Sequence, residues 1–282
     1  MRAQEARVLL TGASGGIGQA AAAVLVRSGA AVMLAGRSAA RLAEQARTLA
    51  RHESMDAAHV AWHAADLARP EGLAALGEAA SGWGVNVIVH NAGLPSFGRL
   101  ETLRADDMLQ VLQTNLLAPM LLTQALLPHL RSLPRAQVIC VGSALGRIGL
   151  PGYSVYSASK FGLRGFAEAL RRELGDTGVK VQYLGPRSTR TGFNDARVEA
   201  YNRATGTAMD TPEVVAGALL RLLEDEVAER FIGFPEKLAA RLNGLVGPLL
   251  DGGFVRHRRS LPGALADVPC TDADAQPLHN VS

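Results

Sequence analysis

Thr11-Gly12-Ala13-Ser14-Gly15-Gly16-Ile17-Gly18 decides the reading of this 282-residue chain. The octet follows a short apolar run, Arg7-Val8-Leu9-Leu10, and opens an apolar helical stretch over 17–28 that Gly29 stops. A buried strand that turns through glycines into a helix presents backbone N–H groups at the positive end of the helix dipole, a place suited to a pyrophosphate. Without side chains at Gly12, Gly16 and Gly18, the backbone can turn tightly and approach such a group. Gly12-Ala13-Ser14-Gly15-Gly16 also fits G-x-S-x-G, the nucleophile elbow of hydrolases, but no acid and histidine follow it in convincing context.

Outward from the octet the pattern keeps alternating. Short runs at 31–35, 60–63, 85–89, 137–141 and 179–184 read as strands. Helical segments fall at 39–51, around 71–80, over a long stretch of roughly 105–131, at about 153–174 and at 212–225. The last opens with Asp210-Thr211-Pro212-Glu213, read as a capping group with proline in the first turn. Strands and helices in strict alternation predict an α/β chain: a Rossmann-type doubly wound parallel sheet in three layers, α/β/α. A single domain over 1–262 absorbs that length. Within it, 235–262 forms an amphipathic C-terminal extension, and the polar 263–282 reads as a mobile tail.

Composition narrows the function classes. The net charge is only +3, and the basic residues, nearly all arginine, are scattered apart from Arg256, Arg258 and Arg259. A nucleic-acid reader gathers positive charge into a stripe, so no nucleic-acid partner is expected. Cys140 lies in an apolar run and Cys270 in a polar tail, which gives neither a disulfide framework nor metal spacing. His59, His63 and His90 fall in or beside strands, and no metal is expected. The first apolar run passes straight into the glycine turn, and nowhere do 18 apolar residues run together, so the expectation is a cytoplasmic protein.

Two further features carry chemistry. The second strand ends in Leu34-Ala35-Gly36-Arg37-Ser38, with no acidic residue to bond ribose hydroxyls. Gly36 leaves space there, and Arg37 can grip a phosphate with a rigid fork of donors, so NADP(H) is preferred to NAD(H). Tyr156-Ser157-Ala158-Ser159-Lys160 sets a phenol and an ammonium four residues apart, on one helix face. An ordinary phenol titrates near ~10, so acid/base work near neutrality requires a dry cleft and a nearby positive charge. Ser143 follows the strand ending at Val141, where its hydroxyl could bond a substrate oxygen. Asn115 sits within a long helical stretch, an unfavourable place unless its side chain has a task. Asn91-Ala92-Gly93 closes the fourth strand, where ligands bind in open α/β sheets.

Taken in order, these motifs resemble the short-chain dehydrogenase/reductase family in its common single-domain form. The resemblance runs from Val8 to about Thr191: T-G-x-x-x-G-I-G at 11–18, Asp66, N-A-G at 91–93, Asn115, Ser143 and Y-S-A-S-K at 156–160. It implies a catalytic tetrad of Asn115, Ser143, Tyr156 and Lys160, with Asn115 holding a water in a proton relay through Lys160. It also implies nicotinamide-cofactor contacts from Gly12, Ser14, Gly16, Ile17, Gly18, Arg37, Asp66, Leu67, Asn91, Ala92, Gly93, Tyr156, Lys160, Pro186, Thr189 and Thr191. The family's Pro-Gly after the sixth strand is here Pro186-Arg187, which puts an arginine near the substrate, to contact an anionic group or to point outward. A basic residue common at the position of Gly15 in NADP-preferring relatives is missing, which leaves Arg37 to do most of the discrimination.

The implied reaction is hydride transfer between the cofactor and a small carbonyl or alcohol substrate: a ketone, aldehyde or 3-oxoacyl compound. An NAD(H)-dependent alcohol dehydrogenase and a catalytically silent dinucleotide sensor are the alternatives, and the presence of both Tyr156 and Lys160 argues against the sensor. Relatives commonly form homodimers or homotetramers through the helices near 105–131 and 153–174. Pocket walls are sought at Leu145, Leu150, Tyr153 and Phe193, with the polar stretch 192–210 as a mobile cover. The amphipathic 235–254 could cover the pocket, line a subunit interface or lie on a membrane; glycine and proline make the last the least favoured.

Overall fold

The computed structural model describes residues 1–52, 59–233 and 252–262. Seven parallel strands form one sheet: β1 (Arg7–Thr11), β2 (Ala31–Gly36), β3 (Val60–Ala64), β4 (Val87–His90), β5 (Ala136–Val141), β6 (Val179–Gly185) and β7 (Glu229–Phe231), in the order β3-β2-β1-β4-β5-β6-β7. The order reverses between β1 and β4, so the loops after those strands part to opposite sides and open a crevice at the carboxyl edge.

The helices are α1 (Gly16–Arg27), α2 (Ala39–His52), α3 (Pro70–Trp83), α4 (Ala105–Leu112), α5 (Ala118–Ser132), α6 (Ser154–Glu173), α7 (Ala196–Thr205), α8 (Pro212–Asp225) and the short α9 (Val255–Arg259). Alternation along each strand divides the core between two faces. Val8 and Leu10 of β1, with Ile139 and Val141 of β5, pack under α1, α2 and α8. Leu9, Val138 and Cys140 point the other way, under α3, α5 and α6. Strands apolar on both faces must be covered on both, which is why the sequence reads as short runs of Val, Ile and Leu. The three-layer expectation holds. Among the described residues no helix is long and apolar enough to cross a membrane.

His90, at the end of β4, is buried, and its Nε2 lies 2.8 Å from Thr123 Oγ1 of α5. Burial disfavours the imidazolium and pulls the pKa from the usual 6.5 down to about 3. The folded chain then binds fewer protons than the unfolded chain at any pH between those values. His90 therefore lowers stability by about 1.4 kcal/mol for each pH unit below 6.5. Urea unfolding of wild type and His90→Gln at pH 7 and pH 5 checks this: the wild type should lose more on acidification, and parallel losses would refute it.

Two local expectations change. The segment 192–210 is not a loop throughout, since α7 occupies its middle, capped by Asp195, which accepts a 2.9 Å bond from Val198 N. Gly206 in the left-handed conformation (φ 72°) ends that helix. Asp210 does not cap α8, because Arg187 holds it, and the Thr211 hydroxyl goes to the Glu213 carboxylate. Strand β7 is only three residues of partial burial, too short to show as an apolar run. Most of 235–254 and all of 263–282 lie outside the described residues. What is described, 252–262, returns to the body of the protein: Leu261 packs on Phe97 and Tyr201, and Tyr201 Oη lies 2.7 Å from His257 Nδ1.

Candidate active site

The glycine turn is locked against the loop after β4. Gly12 adopts φ 65°, and a Cβ there would stand 2.7 Å from Ala92 Cα, so glycine alone fits. Thr11 binds that loop with one hydroxyl: Oγ1 accepts from Asn91 N (3.0 Å) and Ala92 N (3.1 Å) and donates to Val89 O. Asn91 Nδ2 donates to the carbonyls of Thr11 and Gly12, both at 3.1 Å. Together these bonds bring the C-terminal ends of β1 and β4 into one rigid rim.

α1 begins at Gly16, and its N-cap, Gly15, supplies no side-chain cap. A Cβ on Gly18 would fall 2.2 Å from Gly12 O, so the first turn of the helix must lie directly on the glycine turn. A Cβ on Gly16 would collide with Thr191 Cγ2 at 2.5 Å, which places the segment after β6 across the same turn. At Gly36 an added Cβ would meet Ser14 Oγ at an ordinary 3.6 Å, and Arg37 beside it is exposed. Amides without a side-chain cap at a helix start and a cation at the next strand end fit a phosphorylated dinucleotide. Asp66 lies past β3, its Oδ1 accepting from Ala68 N at 3.0 Å, with Leu67 partly buried next to it.

On the other side of the crevice stand the four expected polar side chains. The α4–α5 run is broken by a π-helical turn, Gln113–Leu117, and Asn115 lies within it, wholly buried. Such turns widen the helix and concentrate at functional sites. Asn115 Oδ1 accepts from Leu94 N at 2.7 Å, while Nδ2 donates to Leu94 O (3.0 Å) and Ser159 Oγ (3.1 Å). The side chain thus ties the loop after β4 to α6, with Gly93 next to Lys160: a Cβ on Gly93 would lie 3.8 Å from Nζ.

Lys160 is buried, donates to Val141 O at 3.2 Å and sets Nζ 5.7 Å from the centre of the Tyr156 ring. Burial pulls its pKa from 10.5 down to about 8. Burial pushes the Tyr156 phenol above its ordinary value, a hydrogen bond with Ser143 works in the opposite sense, and Tyr153 nearby raises it further. Desolvation of the ammonium and the phenol is what acid/base work demands, but by itself it holds the proton on the phenol. Ser143 Oγ also accepts from Leu145 N at 3.0 Å. No group of three or more metal-ligating side chains occurs among the described residues.

Aromatic rings flank the phenol. Tyr153 and Phe193 lie edge-on to Tyr156 at 6.3 and 6.0 Å, and Phe97 and Tyr201 back Tyr153 at 4.9 and 5.9 Å. Leu145 and Leu150 are partly buried in the same loop. Arg187 has its fork engaged: Nε and Nη2 bond the two Asp210 oxygens at 3.0 and 2.8 Å. Next to that pair Thr189 bridges Asp210, and Thr189 Oγ1 donates to Arg187 O. Of the two roles left open for Arg187, neither describes this pairing, which anchors the segment after β6. Pro186 O accepts from Ala144 N at 2.7 Å, and Thr191 Oγ1 accepts from Phe193 N. Sequence reading missed Thr11 and Ser159 as braces, although both stand inside the motifs it singled out. Tyr201 gave no local signal and Asp210 only that of a helix cap, because their partners are remote in sequence.

Comparison with known proteins agrees with this geometry. The family model described as short chain dehydrogenase matches residues 6–202. The mouse (Mus musculus) protein described as dehydrogenase/reductase SDR family member 7B is 32% identical over 200 residues, 70% of this chain and 62% of its own. The chain thus spans somewhat less than two thirds of that relative's length. Ketoacyl reductase HetN of Nostoc sp. is 32% identical over 226 residues, 79% of this chain and 76% of its own. Among solved structures, a short-chain dehydrogenase from Sphingobium yanoikuyae in complex with NADPH superposes with TM-score 0.72 at 26% identity, over 95% of this chain and 98% of its own. The alcohol dehydrogenase from the archaeon Thermococcus sibiricus, complexed with 5-hydroxy-NADP, gives TM-score 0.70 at 26% identity, over 80% and 94%. Since the matched span takes in the glycine turn, the π turn and the Tyr156–Lys160 helix, this chain belongs to the short chain dehydrogenase family.

Proposed function

We propose that the protein is an NADP(H)-dependent oxidoreductase that reduces a ketone, aldehyde or 3-oxoacyl carbonyl to an alcohol, or runs the reverse. The observation that carries the reading is the group of buried Lys160, Ser143 and Asn115 around the half-buried Tyr156, at the same carboxyl edge of the sheet as the glycine turn. A nicotinamide cofactor supplies the hydride. Ser143 would orient the carbonyl oxygen, and Tyr156 would donate the proton that oxygen takes up as the alcohol forms. A phenol whose burial keeps it protonated suits that direction; accepting a proton from an alcohol demands positive charge beside the ring. Lys160 and the base of the crevice hold the reactants together, which supplies much of the acceleration. The aromatic flank suits an apolar substituent next to the carbonyl. Support for a ketone comes from the relatives described as ketoacyl reductase and as 3-ketodihydrosphingosine reductase.

NADPH consumption measured over a panel of ketones, aldehydes and 3-oxoacyl thioesters tests the reading, and no turnover with any class would end it. Arg37 carries the preference for the extra phosphate. A hydrogen bond to a charged group contributes about 1.5–3 kcal/mol, so Arg37→Ala should cut the NADPH-over-NADH affinity ratio roughly 10- to 100-fold. An unchanged ratio in fluorescence titrations would discard that role.

A further inference from the structure

We infer that Tyr183 is a positioning residue for Ser143: its phenol holds the backbone of that serine at both N–H and C=O and so fixes where the serine hydroxyl points. The inference rests on the reading that Ser143 orients the substrate oxygen.

Ser143 stands two residues past the end of β5, still in extended backbone (φ −163°, ψ 161°). On one edge the chain keeps pairing with β6 and the residue beyond it: Gly142 N donates to Leu184 O at 2.8 Å and Ala144 N to Pro186 O at 2.7 Å. In extended chain, alternate residues turn their N–H and C=O groups to opposite edges, so Ser143 faces the other way. There the neighbour is β4, which ends at His90 opposite Cys140, three residues short of Ser143. A buried donor and a buried acceptor are thus left without a strand to pair with, and such groups require partners.

The Tyr183 phenol reaches both, sharing the carbonyl with Gly146 N, which donates to Ser143 O at 3.0 Å. Its oxygen accepts from Ser143 N at 3.0 Å and donates to Ser143 O at 2.9 Å. Tyr183 comes from β6 and is wholly buried. Its ring reaches Ser143 only because two residues lack side chains: a Cβ on Gly142 would lie 2.0 Å from the phenol oxygen, and one on Gly146 2.1 Å. Gly142, Gly146 and Tyr183 therefore act as one device. Phenylalanine would fill the core equally well. What tyrosine adds is one hydroxyl, and both bonds shown for it end on the residue that hydrogen-bonds Tyr156.

The test is Tyr183→Phe, which keeps the ring and removes the two bonds. A loosened Ser143 should lower kcat roughly 10- to 100-fold while KM for NADPH holds, since displacement by about an ångström at a reacting group costs that much. In a Ser143→Ala background, adding Tyr183→Phe should lower kcat no further, an outcome that a purely structural tyrosine would not give. Hydrogen exchange at the Ser143 amide should accelerate in Tyr183→Phe. Gly142→Ala is an independent check, because its Cβ displaces the phenol while the tyrosine remains, and it should reproduce the loss in kcat. Wild-type kcat in a folded Tyr183→Phe or Gly142→Ala, or an equal fold-loss with and without the Ser143 hydroxyl, would overturn the inference. If wild type reduces no carbonyl, the proposed reaction fails by itself; amide exchange then judges the clamp, and unaltered exchange at Ser143 would overturn it.

Discussion

Tyr156→Phe is expected to lower kcat for NADPH-dependent carbonyl reduction by roughly 100- to 10,000-fold, the range that positioned acid/base groups contribute. The substitution removes one oxygen and leaves a ring wedged between Tyr153 and Phe193. NADPH affinity should therefore stay within about a factor of three, because no phosphate or ribose donor is lost beyond the phenol itself. Stopped-flow hydride transfer and fluorescence titration of NADPH separate the two effects. Equal turnover in both proteins would mean that another group delivers the proton, and the Tyr156 hydroxyl would have to be read as packing.

Lys160→Met should give a protein that is more stable and nearly inactive. An ammonium whose pKa falls from 10.5 to about 8 through burial costs the fold on the order of 3 kcal/mol. Among the described residues its Nζ donates to Val141 O at 3.2 Å, which offsets little of that desolvation. Since the folded chain binds fewer protons than the unfolded chain between pH 8 and 10.5, wild-type stability should rise with pH across that window. Below about pH 8 the penalty is at full size. Methionine has similar length and no charge, so the variant should gain up to about 3 kcal/mol at pH 7 and lose the alkaline rise. Urea unfolding at pH 7 and pH 9.5 measures both. A variant less stable than wild type at pH 7 would show that the ammonium has stronger partners than this geometry gives it. Activity bought with stability is a common arrangement at sites that must keep a charge dry.

Much of this was open to a reader of the sequence alone, for physical reasons. Two-faced burial writes itself into strands as unbroken apolar runs, so β1, β2, β4, β5 and β6 could be found within a residue or two. The glycine turn was legible because close backbone approach tolerates no Cβ at Gly12 or Gly18. Asn115 betrayed itself as a poor helix former in a helical stretch, although nothing in one sequence could reveal a π turn there. The misses share one cause. Arg187 with Asp210, Tyr201 with His257 and Tyr183 with Ser143 are pairs made by folding across 23, 56 and 40 residues. Helix α7 was missed because it is mostly polar on a protein surface, where its cap at Asp195 was a better guide than hydrophobic spacing.

The π turn at Gln113–Leu117 has a bearing on how this chain tolerates changes of length. A π turn takes one residue more per turn than the α-helix around it. Excising a single residue from the segment would restore a regular helix and leave Leu122, Leu126 and Leu130 of α5 facing the sheet as before. The scaffold can spare that residue, whereas the bracing of Leu94 by Asn115 cannot survive the loss. In this stretch, architecture and chemistry would come apart under a one-codon deletion.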